Sequence, residues 1–394
     1  MGFIFSSQKK ERVVAIFDIG SGSVGGALVK IPANNQGIPI IIKSVPNNEI
    51  KFSKDLNFNS LLKNMTSALY LTAHSLYLKK SGAPDEIFCV MSSPWYLSET
   101  RIIKMTRDKP FLFNKRLADD LINKEITSFY EIYKNKYGNS EGSPEILDKN
   151  IMNVSLNGYK IIDPLGKRGK SLEISMFISL SPKLCLDSIR NTLSRVHHHI
   201  DVNFSSFTVA TYLAVRDKYI NQDSYLLLDI SGEITDVGIV SDGVLKAVLS
   251  FPFGKRTFYN QICSKLEIEL RDAKELFKLY RSNSLSIDYR KKVEPVFKSI
   301  EKSWNESFYQ CIASLPKTLM LPNTIFLTAD NDIKNWFADV LRNEVYIQPL
   351  KTNHKCTVIS IDGPEFLNMC GVKDGVCDPF LMIEAISIMR KTVK

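Results

Sequence analysis

Two stretches in opposite halves of this 394-residue chain repeat one pattern of strand, turn and strand. Residues 13–29 read VVAIFDIGSGSVGGALV, and residues 224–240 read SYLLLDISGEITDVGIV. In each stretch an apolar run that ends in Asp-Ile is followed by a turn and by a second apolar run, which predicts a buried β-hairpin. The repeat predicts a duplicated fold in which each half contains one such hairpin.

The tips of the two predicted hairpins have the composition of an anion site. A turn rich in Gly and Ser leaves backbone N–H groups free to point at an anion, and an acid beside it can hold hydrated Mg²⁺. Two ordinary hairpins with acidic turn residues are the alternative, but two matching copies favour a cleft that holds a nucleotide's phosphates from both sides. The candidate phosphate-binding residues are Gly20, Ser21, Gly22, Ser23, Gly232 and Thr235, with Asp236 in support and Asp18 and Asp229 as candidate Mg²⁺ ligands.

Composition restricts the class of protein and the kind of partner. A chain of 394 residues is too long for one core and predicts two or more domains. Its net charge of +9 favours an anionic partner, whether nucleotide, acidic protein or membrane surface. No long basic run is interleaved with aromatic residues, which argues against nucleic acid. Seven scattered cysteines without a Cys-x-x-Cys motif indicate a reducing compartment and no zinc site.

Outside the hairpins, the sequence alternates predicted strands and helices, as in an α/β protein. A polar, loop-rich stretch from Trp95 to Pro182 predicts a small inserted α+β subdomain. Further strands are predicted at 39–45, 86–91, 150–162, 172–180, 324–328 and 357–361. Helices are predicted at 56–80, 117–137, 182–196, 254–282, 293–315, 333–343 and 380–389.

The order of these elements resembles the actin, heat-shock chaperone and sugar-kinase superfamily. DIGSGSV at 18–24 and DISGEITD at 229–236 resemble its two phosphate motifs, and TADN at 328–331 stands where its adenosine motif would be. The resemblance implies an actin-like (ribonuclease H-like) duplicated fold, with two halves that close over ATP and Mg²⁺. It also implies that Ala329 and Asp330 approach the base, and that Glu275 and Lys278 flank the ribose and adenine.

Within this superfamily the sequence is most similar to FtsA, and PilM is the alternative. GYKIIDPLGKRGKSLEISMFISLSPK at 158–183 is similar to the FtsA stretch that leaves the inserted subdomain, and FGKRTFYNQICSKL at 253–266 resembles the next FtsA block. The resemblance implies a first half at 11–92, 183–221 and 355–394 and a second half at 222–258 and 318–354. It places an FtsA/PilM-type inserted subdomain at 93–182 and a helical subdomain at 259–317.

Three departures from the superfamily pattern predict a weakened nucleotide site. Ser231, Gly232 and Glu233 stand where the second phosphate motif has three glycines, and Ala329-Asp330 replaces a Gly-Gly pair. Glu233 would bring a carboxylate towards phosphate oxygens, which is an unfavourable like-charge contact. Phe207-Thr208 stands where relatives have the acid that orients the attacking water. We therefore expect little or no ATP hydrolysis.

The resemblance implies a binding and assembly protein. The first hypothesis is an FtsA-like adaptor of bacterial cell division that recruits a partner such as FtsZ to the membrane and can self-associate into filaments. The second is a PilM-like cytoplasmic platform for type IV pilus or secretion assembly. A sugar or acid kinase ranks third, because no motif for a general base is found.

The location expected for either assembly role is the cytoplasm, at the inner face of the cell membrane. Neither a secretory signal nor an apolar segment long enough to cross a bilayer is present in the sequence. Residues 1–10 contain Phe3–Phe5 and two lysines, which predicts at most a weak and reversible interfacial anchor. We therefore expect membrane contact to come mainly through a partner.

Overall fold

The structure is a computed structural model of the chain. It describes residues 11–33, 37–50, 57–79, 82–137, 143–198, 200–316, 319–343 and 356–392. The proposed N-terminal anchor at 1–10 lies outside the described residues.

The first predicted hairpin forms the centre of a mixed sheet. β1 (Arg12–Ile19) pairs antiparallel with β2 (Ser23–Ile31), which pairs with β3 (Ile40–Glu49). On its other side β1 pairs parallel with β4 (Glu86–Met91). β9 (Val202–Ser206) and the short β15 (Gly371–Val372) complete the order β15-β3-β2-β1-β4-β9.

The second hairpin is the centre of a sheet with the same topology, which confirms the predicted duplication. The strands are β10 (Tyr225–Ile230), β11 (Thr235–Ser241), β12 (Val244–Phe251), β13 (Thr324–Ala329) and β14 (Thr357–Ser360), in the order β12-β11-β10-β13-β14. The pairs β10–β11 and β11–β12 are antiparallel, and β10–β13 and β13–β14 are parallel, as in the first sheet. One difference matters for the site, because Asp229 faces Asp236 across its hairpin whereas Asp18 faces Gly25.

Two helices lie between the sheets and join the halves into one core. They are α4 (Phe207–Lys218) and α9 (Pro379–Thr392). Apolar side chains of both helices share a cluster with residues of both sheets, such as Ile16 of β1 and Tyr225 of β10. α4 is buried on nearly all its faces, as expected for a helix enclosed on all sides.

The other helices cover the outer faces of the two sheets. α1 (Phe58–Leu78) and α3 (Lys183–Ser194) pack on the first sheet. The second sheet packs against α5 (Lys255–Leu266), α6 (Leu270–Arg281), α7 (Ile287–Ala313) and α8 (Asn331–Asn343). The long helical region predicted over 254–282 consists of two helices, because Glu267 adopts the left-handed conformation (φ 55°) and ends α5. No helix in the described ranges is long and apolar enough to cross a membrane.

The inserted segment forms its own four-stranded sheet covered by one helix. β5 (Leu97–Leu112), α2 (Lys115–Tyr137), β6 (Pro144–Leu156), β7 (Tyr159–Lys160) and β8 (Arg168–Pro182) follow one another along the chain. The strand order is β5-β8-β6-β7. β5 was missed because most of its side chains are charged or exposed, so its sequence lacks the alternation of a half-buried strand.

Candidate functional site

The turns of the two hairpins meet face to face at the interface of the halves. The backbone N–H of Glu233 donates a hydrogen bond of 2.9 Å to Oγ of Ser21, and Oγ of Ser21 lies 3.3 Å from Oγ of Ser231. Ser21 is fully buried, and the indole N–H of Trp95 fixes the first turn by donating to the carbonyl of Gly20 (2.9 Å). The fold thus brings together the two turns that the sequence proposed as phosphate sites.

The closest contact between the turns is glycine on glycine. A Cβ atom added to Gly22 would lie 3.2 Å from Cα of Gly232. A Cβ atom added to Gly232 would lie 2.4 Å from the backbone nitrogen of Gly22, well inside van der Waals contact. Because the two backbones already touch, no space remains between them for a phosphate group.

Polar groups of the turns are also hydrogen-bonded within the protein. The N–H groups of Gly20 and Ser231 donate across their own turns, to the carbonyls of Ser23 and Ile234 (both 3.0 Å). Thr235 is fully buried, and its hydroxyl donates to the carbonyl of Phe253 (2.5 Å). These donors therefore already have partners and would have to exchange them in order to bind an anion.

The backbone N–H groups at the start of α5 are also hydrogen-bonded within the protein. The first N–H groups of a helix are a ready site for anions, because they have no partner within the helix. Here the N–H groups of Lys255 and Arg256 donate to the carbonyls of Ser231 and Gly232 (2.9 and 2.8 Å). The second turn thus caps the helix with its own backbone.

Glu233, the residue that departs from the phosphate motif, has a buried cationic partner. Its carboxylate lies 2.6 Å from the guanidinium of Arg256, and the two side chains are only 17% and 6% exposed. Burial raises the pKa of Glu233, and the charge of Arg256 opposes that shift. The sequence marks Glu233 as an obstacle to phosphate but does not reveal its ion pair with Arg256.

The three acids predicted at the site, Asp18, Asp229 and Asp236, lie behind the turns. Burial favours the neutral form of their carboxyl groups. Burial, and then the charge of Asp236, raise the pKa of Asp229 to about 8, although Thr328 donates a hydrogen bond of 2.7 Å to it. Burial also raises the pKa of Asp236, against a hydrogen bond of 2.6 Å from Ser250. The pKa of Asp18 is raised well above its usual value by burial and by the nearby Asp378.

A fourth acid at this position was missed in the sequence. Glu384 of α9 is fully buried, and burial together with Asp18 and Asp378 raises its pKa well above the usual value. A lone acid in the apolar run FLMIEAISIM could have indicated it, because a carboxyl group is rarely buried without a partner. The structure thus gathers carboxyl groups of both halves and of α9 behind the touching turns.

A cavity of about 280 Å³ remains at the mouth of the cleft, in front of the turns. Lys255 pairs there with Asp330 (2.8 Å) and Asp332 (3.0 Å), and Lys274 pairs with Glu49 (3.1 Å). These ion pairs bridge the walls of the cavity. Its lining consists of Gly22, Ser23, Asn47, Glu49, Ile50, Gly232, Lys255, Arg256, Tyr259, Lys274, Asp330, Asn331 and Asp332.

Of the residues predicted to flank the nucleoside, some line this cavity and others do not. Asp330 lies in its wall, whereas Ala329 is buried at the end of β13. Glu275 and Lys278 are exposed on α6 and do not line the cavity, although their neighbour Lys274 does. Their role at a nucleoside stays a prediction.

The phosphates of ATP cannot lie directly between the two turns as this structure has them. The backbones of Gly22 and Gly232 already fill that space. The predicted Mg²⁺ ligands Asp18 and Asp229 are buried behind the turns, whereas Mg²⁺ usually keeps several of its waters when it binds carboxylates. Across the part of the chain that the structure describes, no group of three or more His, Cys, Asp or Glu residues is arranged to hold a metal ion.

The start of α4 has no side chain that could activate water. Phe207 is buried, with its ring centroid 5.3 Å from that of Phe380. The hydroxyl of Thr208 is hydrogen-bonded to the hydroxyl of Tyr96 (2.9 Å). Phe207 therefore serves in packing, because it belongs to the hydrophobic core between the two sheets.

Comparison with known proteins identifies the fold. No protein-family model and no curated protein sequence matches the chain. A chain of the PilM-PilN type IV pilus biogenesis complex superposes with a TM-score of 0.61 at 13% identity, over 98% of this chain and 99% of that one. A Bacteroides thetaiotaomicron protein with an actin-like ATPase fold and unknown function gives a TM-score of 0.38 at 10% identity, over 97% and 99% of the two chains. The ethanolamine utilization protein EutJ from Carboxydothermus hydrogenoformans gives 0.42 at 9% identity, over 96% and 89%.

The superposition agrees with the topology described above. Two sheets share a five-strand core of the same order, to which β15 is added in the first sheet, and they enclose a pair of helices. A separate small sheet is inserted in the first half. The chain therefore has the actin-like ATPase fold, as its resemblance to the FtsA and PilM branch of that superfamily predicted.

Proposed function

We propose that this protein is a non-catalytic assembly protein of the PilM type, which acts in type IV pilus or secretion assembly by binding a protein partner. The observation that carries the proposal is the contact between the turns at Gly22 and Gly232. In this arrangement the protein's own backbone joins the two halves where a nucleotide's phosphates would otherwise lie. A cleft closed in this way favours a scaffold over an enzyme.

The assignment to pilus or secretion assembly has support from the comparison of structures. The likeness to the chain of the PilM-PilN complex extends over 98% of this protein, and so includes the inserted sheet. That complex contains a second protein, PilN, which suggests a protein partner for this chain as well. The place of action that we propose is the cytoplasmic face of the membrane.

An FtsA-like division adaptor is the second candidate. It is supported by the sequence of residues 158–183, which is similar to FtsA and which includes β8, the strand that pairs with both β5 and β6 of the inserted sheet. This role would require FtsZ as a partner, and self-association into filaments would accompany it. The two candidates therefore differ in the protein that they bind.

Binding measurements with purified partners distinguish these roles. We expect a PilN-type pilus assembly protein from the same organism to bind with a Kd of about 10 μM or tighter, which corresponds to roughly 7 kcal/mol. FtsZ from the same organism, at the same concentrations, is expected to give no saturable signal. Binding of FtsZ without binding of the PilN-type protein would contradict the pilus assignment and support the division adaptor.

A further inference from the structure

The inserted subdomain carries a basic surface at one end of its sheet, which we call the insertion tip and define as residues 107–116 and 159–170. Backbone hydrogen bonds hold the two segments together. The N–H of Phe113 donates to the carbonyl of Lys167, and the N–H of Gly166 donates to the carbonyl of Phe113 (both 2.8 Å). Leu112 pairs with Arg168 across β5 and β8. The side chains of the tip are therefore presented from an ordered backbone.

The insertion tip has a large excess of positive charge. It contains eight basic and two acidic residues, and it still has an excess of four positive charges when Asp119 and Asp120 of α2 are included. All eight basic side chains are exposed, and none forms an ion pair within the described ranges. The basic residues are Arg107, Lys109, Lys115, Arg116, Lys160, Lys167, Arg168 and Lys170.

Large apolar side chains are exposed among these basic residues. Ile162 is 101% exposed and Tyr159 is 77% exposed, which places both side chains almost wholly in solvent. Leu165 and Leu112 are about half exposed, at 53% and 45%. Single exposed apolar residues are common, but Leu112 and Leu165 lie on the two segments that the backbone hydrogen bonds join, and Tyr159 and Ile162 come shortly before Leu165 in the chain.

A shallow depression lies at the first segment of the tip, next to the start of α2. Its volume is about 530 Å³, and the residues that line it include Arg107, Lys109, Asn114 and Arg116. The guanidinium carbon of Arg107 lies 5.5 Å from the ring centroid of Phe111, which holds the cation at the rim. Asp120 is the one acid in its lining. A depression of this composition suits an anionic group such as a lipid phosphate.

We propose that the insertion tip docks on an anionic lipid bilayer. The basic side chains contact the headgroups, and Ile162, Leu165 and Tyr159 enter the interfacial layer. The mixture of residues favours a bilayer over an acidic protein, because the core of a protein interface is apolar and poor in charge. Interleaved Lys, Arg, Tyr and aliphatic side chains are typical of surfaces that lie at a membrane interface. The proposal is independent of the protein partner and of the segment 1–10.

Co-sedimentation of the full-length protein with vesicles tests the proposal. The vesicles contain phosphatidylcholine alone or with about 30% phosphatidylglycerol, at about 0.15 M salt, where an anionic surface still attracts basic residues. We expect binding to the anionic vesicles only. Reversing three tip charges (K167E/R168E/K170E) should lower the partition coefficient at least about tenfold.

Two further variants separate the insertion tip from other causes. R271E/K291E/K292E changes the net charge equally on exposed residues of α6 and α7, and should change binding less than about twofold. I162S/L165S removes only exposed apolar groups and should reduce binding several-fold. Equal losses in the two charge-reversed variants would overturn the proposal, because only net charge would then matter. The absence of binding to anionic vesicles, or binding that is lost on replacing Phe3–Phe5 by Ser and unchanged by the tip variants, would also overturn it.

Discussion

Replacing Arg256 by Met should lower the free energy of unfolding by about 3 kcal/mol at pH 7.5, because it leaves a buried carboxylate without its partner. Arg256 is 6% exposed and lies 2.6 Å from Glu233, in the turn that contacts the first half. The loss should be measured by denaturant unfolding. We expect it to be among the largest effects of a single charged-residue substitution in this protein.

The pH dependence identifies Glu233 as the cause of that loss. The pKa of Glu233 is raised by burial in the folded protein, and removing Arg256 raises it further. A carboxyl group whose pKa is higher in the folded state contributes stability that is lost as pH rises through that pKa. The deficit of R256M should therefore be larger at pH 7.5 than at pH 5, and the double variant E233Q/R256M should recover most of it.

A matched control is available in the exposed ion pair between Arg281 and Asp339. Their side chains are 32% and 45% exposed, and the guanidinium of Arg281 lies 2.8 Å from the carboxylate of Asp339. R281M should cost less than about 1 kcal/mol, as is usual for surface pairs. If R256M were no more destabilising than R281M, the pair of Glu233 and Arg256 would not stabilise the turn.

Replacing Gly232 by Ala should lower the free energy of unfolding by about 1–3 kcal/mol, because the added methyl group overlaps the facing turn. Its Cβ would lie 2.4 and 2.6 Å from the backbone nitrogen and Cα of Gly22. Backbone atoms cannot rotate away as a side chain can, so the halves would have to separate locally. Thermal unfolding and limited proteolysis would report the loosening.

Gly371 provides the control for this substitution. A Cβ atom there would be 3.4 Å or more from its nearest neighbours, all of them side-chain atoms of Ile40. G371A should therefore change stability by less than about 1 kcal/mol. Equal stability of G232A and the wild type would show that the two turns do not touch in solution.

The sequence predicted the local elements of the site well and the relation between them poorly. The apolar run that ends in Asp-Ile in the second stretch is the strand β10, because a run bounded by turn residues identifies a buried strand. The two turns also face one another, as the duplication implied. Their direct contact depends on how tightly α4 and α9 hold the halves together, and no local pattern reports that distance.

The partners of the buried charges were unpredictable for the same reason. Glu233 and Arg256 are separated by the whole of β11 and β12, and Glu384 reaches Asp18 from the last helix. Such pairs arise from the packing of elements that are distant in sequence. The strand β5 could not be predicted either, because most of its side chains are charged or exposed. It is held by pairing with β8 rather than by alternating apolar residues.

The central claim is that the protein's own turns close the cleft without nucleotide. Titration with ATP, with and without Mg²⁺, followed by calorimetry and thermal unfolding, tests it most directly. Since a ligand at about a hundred times its Kd stabilises a protein by about 2.7 kcal/mol, about 2 mM ATP would clearly reveal a micromolar site. We expect no saturable heat, no shift in Tm and a phosphate-release rate far below about 1 per second. Saturable Mg²⁺-dependent binding of ATP with a micromolar Kd would contradict the claim, because it would require the turns at Gly22 and Gly232 to separate and admit the phosphates.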